Sequence, residues 1–284
     1  MPTSGLSLVG FMADRDQAIF HLRNTCFPLP ATKPDADLEA EWQGAKAKLG
    51  TAIPNAGHPA LTQIPPNDLY IQALLASPWG PHLNSYLSQG ATFQMVELMP
   101  LLAFQFTVDL DRSLQHCGAM SNPPSQRELL EVCLPTGVPR DDWSMSHSPG
   151  SAMIRSRSLN LAIVAAGPLP VPKAANLVGI QFAWLLPVLH VVRYNGRCYL
   201  FNGYHRAVGA AQAGAVTAPC LFRDVKTEAE AAIAPPATFP LSLLESSDPP
   251  TVGHYVQGRA WDVQLRRVSR IIQVNWSQHQ LFEE

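Results

Sequence analysis

The chain has 284 residues, a length that fits one large domain or two modest ones with a sizeable core. Charged residues make up 15% of it, well below the ~25% typical of soluble domains, so much of the surface is neutral and a self-associating homo-oligomer is one hypothesis. The formal net charge of -2 argues against the strongly basic footprint of nonspecific nucleic-acid binders.

The cysteines favour a reducing compartment. They are odd in number and lack CxxC spacing, which argues against a disulfide framework or a zinc knuckle. The cysteines are Cys26, Cys117, Cys133, Cys198 and Cys220. No basic segment followed by a long apolar run opens the sequence, and no apolar run reaches the ~18 residues of a membrane span. We therefore expect a cytoplasmic protein that does not interact with a membrane.

Residues 1–90 are predicted to form a mainly helical N-terminal region. One helix is expected at residues 14–26 and another at 35–49, where Gly50 follows as a stop signal. Residues 67–87 are expected to be helical in two pieces, because a Pro-Trp-Gly-Pro stretch interrupts them. This region carries no recognisable chemical motif.

The character of the sequence changes at Ala91, so residues 91–284 are predicted to form an α+β domain with a C-terminal extension. Residues 91–110 alternate roughly and predict two strands that meet near Pro100. Ser125 and Glu128 form a capping-box pattern at the start of a helix that ends at Cys133. A long polar loop at 135–151 and a strand at 159–165 are expected next.

The clearest local pattern lies at residues 187–222. An Asn-Gly turn between apolar runs predicts a hairpin with strands at 187–193 and 197–201. A helix of small residues at 207–213, ended by Gly214, and a strand at 217–222 are expected to follow. A short helix is predicted at 227–233, and residues 263–281 fit either a strand or an amphipathic helix.

The junction between the hairpin and the small-residue helix has the features of an anion site. Backbone N–H groups at a helix start lack intrahelical partners, and the helix dipole favours negative charge there. Gly203 allows close approach to the backbone, and Arg206 is suited to a two-pronged phosphate contact. His205 exchanges a proton near neutral pH. Asn202 is either a turn residue or a ligand contact.

The hairpin, Gly203-Tyr204-His205-Arg206, the small-residue helix and the returning strand together resemble the ParB/sulfiredoxin superfamily, over roughly residues 159–225. The resemblance implies an α+β fold with a ParB/sulfiredoxin-like mixed sheet, to which the helical N-terminal region is fused. It also implies a nucleotide or a phosphorylated small molecule at the G-x-H-R turn. Members include sulfiredoxins, ParB-type CTP switches and a free-serine kinase.

Tyr204 departs from this family at the variable position. Sulfiredoxins carry a catalytic cysteine there, and a phenol does not replace a thiolate. CTP-hydrolysing partition proteins carry a glutamate there. Residues 224–284 show no convincing helix-turn-helix, so a DNA partner receives little support from the sequence.

The resemblance implies a phosphotransferase or nucleotide hydrolase that uses a nucleoside triphosphate or diphosphate with Mg²⁺. His205 and Arg206 would be the catalytic residues. The phosphate-binding residues would be Asn202, Gly203, Tyr204, His205, Arg206, Arg155 and Arg157. Two alternatives remain: a non-catalytic nucleotide-sensing or DNA-associated regulator, and a structural protein with a degenerate site.

Several residues carry a second interpretation. Arg206 would have only a structural role if it paired with a carboxylate such as Asp224. Asp141 and Asp142 are candidates to hold Mg²⁺. Glu97 is either a sheet-edge carboxylate or a site residue, and His190 fits a hydrogen-bonded histidine of the core or of a sheet edge.

Overall fold

The computed structural model describes residues 2–25, 33–137, 143–156, 161–168, 178–184, 186–233, 237–266 and 269–277. The helices are α1 (Arg15–Thr25), α2 (Asp35–Lys48), α3 (Leu69–Leu75), α4 (Gly80–Ser88), α5 (Leu110–Cys117), α6 (Gln126–Cys133), α7 (Tyr204–Gln212), α8 (Leu241–Leu244) and α9 (Val252–Val256). The strands are β1 (Thr3–Ser7), β2 (Leu61–Gln63), β3 (Thr92–Glu97), β4 (Thr107–Asp109), β5 (Trp143–Ser148), β6 (Ser151–Ser156), β7 (Leu161–Pro168), β8 (Val178–Trp184), β9 (His190–Tyr194), β10 (Arg197–Asn202), β11 (Thr217–Asp224), β12 (Trp261–Leu265) and β13 (Arg270–Asn275).

The chain divides into two compact units. Unit 1 comprises Met1–Val138 and Val188–Arg267, and unit 2 comprises Pro139–Pro187 and Val268–Glu284. The boundary predicted at residue 90 falls inside unit 1 and does not coincide with this division. The physical reason is strand pairing, because β1 pairs antiparallel with both β4 and β12 and so joins the N-terminus to the rest of unit 1.

A mixed sheet in unit 1 carries the hairpin that the sequence predicted. Its strands lie in the order β10-β9-β11-β3-β2. Asn195 and Gly196 have φ angles of 47° and 75°, the left-handed values that a tight two-residue hairpin turn requires. β11 returns parallel to β9 and antiparallel to β3, so α7 serves as the crossover between β10 and β11.

The core of unit 1 is continuous between this sheet and its helices. Its largest fully buried side chains are Tyr199, Tyr255, Phe239, Leu8, Leu22, Ile71, Leu74, Leu83, Leu98, Leu101, Leu102 and Leu134. The small residues of α7 allow close packing against α5. A Cβ atom on Gly209 would lie only 2.7 Å from the Cys117 Sγ, so a larger residue there would push the two helices apart.

Unit 2 is built from antiparallel pairs. β6 pairs with β5 and with β13, and β7 pairs with β8. The polar loop predicted between residues 135 and 151 is wrong at 143–148, which form β5. Trp143 and Met145 alternate with serines in this strand, but three serines and a histidine give it a polar composition that also fits a loop.

The remaining expectations have mixed outcomes. The α+β class, the helices of residues 14–88 and the strand interpretation of the tail are confirmed. The predicted helix at 227–233 is wrong, because Ala232 adopts a left-handed φ of 57° and the segment forms turns. The second strand after Pro100 begins only at Thr107, since Leu102 instead donates to the Cys198 carbonyl. No helix in the described part of the chain is long and apolar enough to cross a membrane.

Candidate anion site at the start of helix α7

The turn between β10 and α7 requires glycine. Gly203 has a φ of 93°, and a Cβ atom there would lie 2.9 Å from the Leu189 Cα. Both facts disfavour any other residue. The Gly203 N–H donates to the Asn202 Oδ1 over 2.8 Å, so Asn202 contributes to the turn itself.

The first turn of α7 has no side-chain cap. Gly203 is the N-cap residue and offers no side-chain cap, and no acidic residue occupies the first turn. The first intrahelical bond runs from the Ala207 N–H to the Gly203 carbonyl over 2.9 Å. The N–H groups of residues 204–206 precede this bond, and the positive end of the helix dipole lies with them.

The Tyr204 side chain lies in the core and not at the turn. It is 2% exposed, and its hydroxyl oxygen accepts hydrogen bonds from the Phe104 N–H over 2.9 Å and the Gln105 N–H over 3.4 Å. Burial raises the pKa of this phenol well above its usual value. The expectation that the Tyr204 side chain contacts a phosphate is therefore wrong. Only the backbone N–H of Tyr204 belongs to the turn.

Arg206 carries a positive charge that the fold does not neutralise. Its Nε atom is buried and has no hydrogen-bond partner, and Arg206 forms no ion pair with any residue in the described ranges. Burial lowers the pKa of its guanidinium. The structural alternative, a pair with Asp224, is wrong because Asp224 binds Arg193 through two bonds of 2.6 and 2.9 Å.

Helix α5 supplies two further basic residues that the sequence interpretation missed. Arg112 and His116 stand four residues apart on α5, beside Ser113 and Cys117 on its buried face, and His116 lies within electrostatic range of His205 and Arg206. We call Arg112, His116, His205 and Arg206 the basic cluster. The four-residue spacing of Arg112 and His116 is visible in the sequence. Their proximity to α7 is not, because it depends on the packing of two helices about 90 residues apart in the chain.

The histidines of the basic cluster are neutral at pH 7. Desolvation, together with the charges of Arg112 and Arg206, lowers the pKa of His205 to about 4. Desolvation and the charges of Arg206, His205 and Arg112 lower the pKa of His116 to about 4 as well. Arg112 is partly compensated, because its Nε lies 3.9 Å from the Asp109 carboxylate. A bound anion would offset this positive potential and favour protonation of both imidazoles.

The other predicted ligands belong to other parts of the chain. Arg155 is an exposed residue of β6 in unit 2. Arg157, Asp141 and Asp142 lie outside the described residues, so their predicted roles stay predictions. Glu97 ends the inner strand β3, where it lies opposite Thr217, and its carboxylate accepts a hydrogen bond from the Ala60 N–H over 3.3 Å.

Neither a metal site nor a similarity to known proteins identifies the ligand of this site. Within the ranges that the structure describes, no group of three or more His, Cys, Asp or Glu side chains is arranged to hold a metal ion. The site is therefore characterised by its helix start and its basic cluster. No family model, curated protein or solved structure matches this chain.

Proposed function

We propose that this protein binds the phosphate groups of a nucleotide at the start of α7. The observation that carries the proposal is the unneutralised, half-buried Arg206, whose buried Nε lacks a partner in the described chain, beside a helix start without a side-chain cap. A buried cation without a carboxylate is costly to the fold, and a phosphate would supply the missing charge and acceptors.

The order of the elements supports a ParB/sulfiredoxin-like assignment for this part of the chain. The hairpin β9-β10, the Gly203 turn, α7 and the parallel strand β11 follow one another as the resemblance implies. Within this proposal Asn202 and Gly203 shape the turn, while the N–H groups of residues 204–206 and the Arg206 side chain contact phosphate.

The chemistry that fits this site is phosphoryl transfer or nucleotide hydrolysis. Arg206 would neutralise the charge that develops on the transferred phosphoryl group. His205, neutral at pH 7, would accept a proton from a hydroxyl or a water molecule or would orient a phosphate oxygen. Mg²⁺ would bridge the phosphates as in other nucleotide enzymes.

A ligand screen tests the proposal. Thermal unfolding is followed with ATP, ADP, CTP, GTP and pyrophosphate, each with and without Mg²⁺. At least one of these ligands should raise the unfolding temperature, because it binds only the folded state. If none does, phosphate binding at this site is refuted.

Two variants locate the site and one assay tests catalysis. Arg206→Met should remove the stabilisation by ligand while the protein stays folded. Arg127→Met is the matched control, because Arg127 is a largely exposed residue of α6 that pairs with Glu131. Retained binding in Arg206→Met would place the site elsewhere. Steady release of phosphate from a bound nucleotide would establish an enzyme, and binding without release would establish a sensor.

A further inference from the structure

A cluster of two aromatic rings, a guanidinium and an imidazole lies where α4 meets the strands β9, β10 and β11. Its members are Tyr86 of α4, His190 of β9, Phe201 of β10 and Arg223 of β11, which we call the ring cluster. Phe201 immediately precedes Asn202, and a β-bulge between Leu200 and Asn202 sets its position.

The strand register explains why these side chains meet. His190 lies opposite Leu221 in the parallel ladder of β9 and β11. Arg223 is two residues beyond Leu221 and therefore points to the same face of the sheet. Arg193, Phe222 and Asp224 belong to the opposite face, where the Arg193 guanidinium lies 5.3 Å from the Phe222 ring.

His190 is buried, and no residue in the described part of the chain is a hydrogen-bond partner for its Nε2 atom. It is 3% exposed, and its ring lies 5.5 Å from the Tyr86 ring and 4.7 Å from the Phe201 ring. The core position expected for His190 is thus confirmed, but the expected hydrogen bonding is absent at Nε2. Buried polar atoms without a partner are rare in folded proteins and call for a specific explanation.

Arg223, another member of the ring cluster, also has a buried nitrogen atom without an observed partner. Its guanidinium carbon lies 5.5 Å from the Tyr86 ring and 5.8 Å from the Phe201 ring. Its Nη2 donates to the Glu230 carbonyl over 3.3 Å, but its buried Nε has no hydrogen-bond partner among the residues that the structure describes. Tyr86, Phe201 and Arg223 are each partly exposed, so planar faces and unpaired nitrogen atoms occur together near solvent.

We propose that the ring cluster binds the base of the nucleotide whose phosphates lie at the α7 turn. Aromatic side chains and guanidinium planes stack on nucleobases, and a base edge would supply partners for the His190 Nε2 and the Arg223 Nε. Phe201 is two residues from Gly203, so the two Cα atoms are within about 7 Å of each other. The base site rests on the proposed function, and it adds where the base of that nucleotide is bound.

Calorimetric titration with ATP, CTP, GTP and UTP, and with inorganic tripolyphosphate, separates the two parts of the ligand. The wild-type protein should bind at least one nucleotide about tenfold more tightly than tripolyphosphate, which is the effect of stacking one base. Equal affinities would overturn the base site and leave the phosphate site standing. Absence of all binding would overturn both.

Variants of the rings give the second readout. Tyr86→Leu and Phe201→Leu should each weaken nucleotide binding about tenfold and leave tripolyphosphate binding unchanged. Arg206→Met should weaken both. Arg193→Met is the matched control, since Arg193 also lies over an aromatic ring but on the other face of the sheet, and it should change neither.

An equal loss of both ligands in Tyr86→Leu would refute the assignment of the base to this cluster. Tyr86 is a partly exposed residue of α4, so this variant keeps the test decisive if Phe201→Leu fails to fold. Unchanged nucleotide affinity in both variants would refute it equally.

Discussion

Replacing Tyr204 with Phe removes one oxygen atom from the core and tests whether this residue has a structural role. The hydroxyl accepts from the buried Phe104 N–H over 2.9 Å and, less favourably, from the Gln105 N–H over 3.4 Å. In the variant the Phe104 N–H loses its partner, which costs about 1–3 kcal/mol. Gln105 is exposed, so water replaces the lost bond there. We expect a net destabilisation of about 2 kcal/mol.

Tyr199 offers a control with the opposite expectation. It is buried like Tyr204, but within the described ranges its hydroxyl has no hydrogen-bond partner. Tyr199→Phe removes a buried hydroxyl that forms no observed hydrogen bond in the folded protein. The substitution should therefore leave the free energy of unfolding unchanged or raise it. The two substitutions delete the same atom from the same residue type.

Urea denaturation followed by circular dichroism measures both changes. The midpoint should fall for Tyr204→Phe and stay level or rise for Tyr199→Phe, with similar slopes for both. Phosphate binding should survive in Tyr204→Phe, because its hydroxyl points away from the turn. Equal losses of stability in the two variants would refute the hydrogen-bond argument, and loss of binding without loss of stability would return Tyr204 to the site.

Three further predictions concern stability. Gly203→Ala should cost about 1–3 kcal/mol, because it places a Cβ against Leu189 at a left-handed φ, and an unchanged urea midpoint would contradict this. Ser125→Ala should cost about 1 kcal/mol by removing the observed capping box of α6, and a loss under a few tenths would count against the cap. Burial lowers the pKa of His190 to about 3 and of His254 to about 4, whereas the unfolded chain titrates near 6.5. The contribution of these two histidines to the free energy of unfolding is complete above about pH 6.5. It declines as the pH falls toward 4, by up to about 1.4 kcal/mol per pH unit for each histidine. A flat stability profile between pH 7 and pH 4.5 would refute this account.

Local patterns allowed much of unit 1 to be predicted from the sequence. The Asn-Gly turn identified the hairpin, and the pair Ser125 and Glu128 identified the start of α6, because the chemistry of each lies within a few residues. The same holds for Gly203, whose glycine is required by the backbone of its own turn.

Long-range packing explains what the sequence did not predict. Nothing local to Thr3–Ser7 indicates that β1 pairs with β12 across 250 residues, so the predicted boundary at residue 90 missed the observed division. Arg112 and His116 reach the candidate site only through the packing of α5 on α7. Tyr204 follows the turn glycine directly, but its side chain turns into the core, which a motif comparison does not reveal.

Titration of the protein with ATP and with pyrophosphate at pH 7.5 and low salt tests the central claim most directly. The wild-type protein should show saturable binding to at least one of them. Arg206→Met should bind at least tenfold more weakly, because it loses a charge-assisted contact worth about 1.5–3 kcal/mol. No binding by the wild type, or equal binding by both proteins, would contradict a phosphate site at the start of α7.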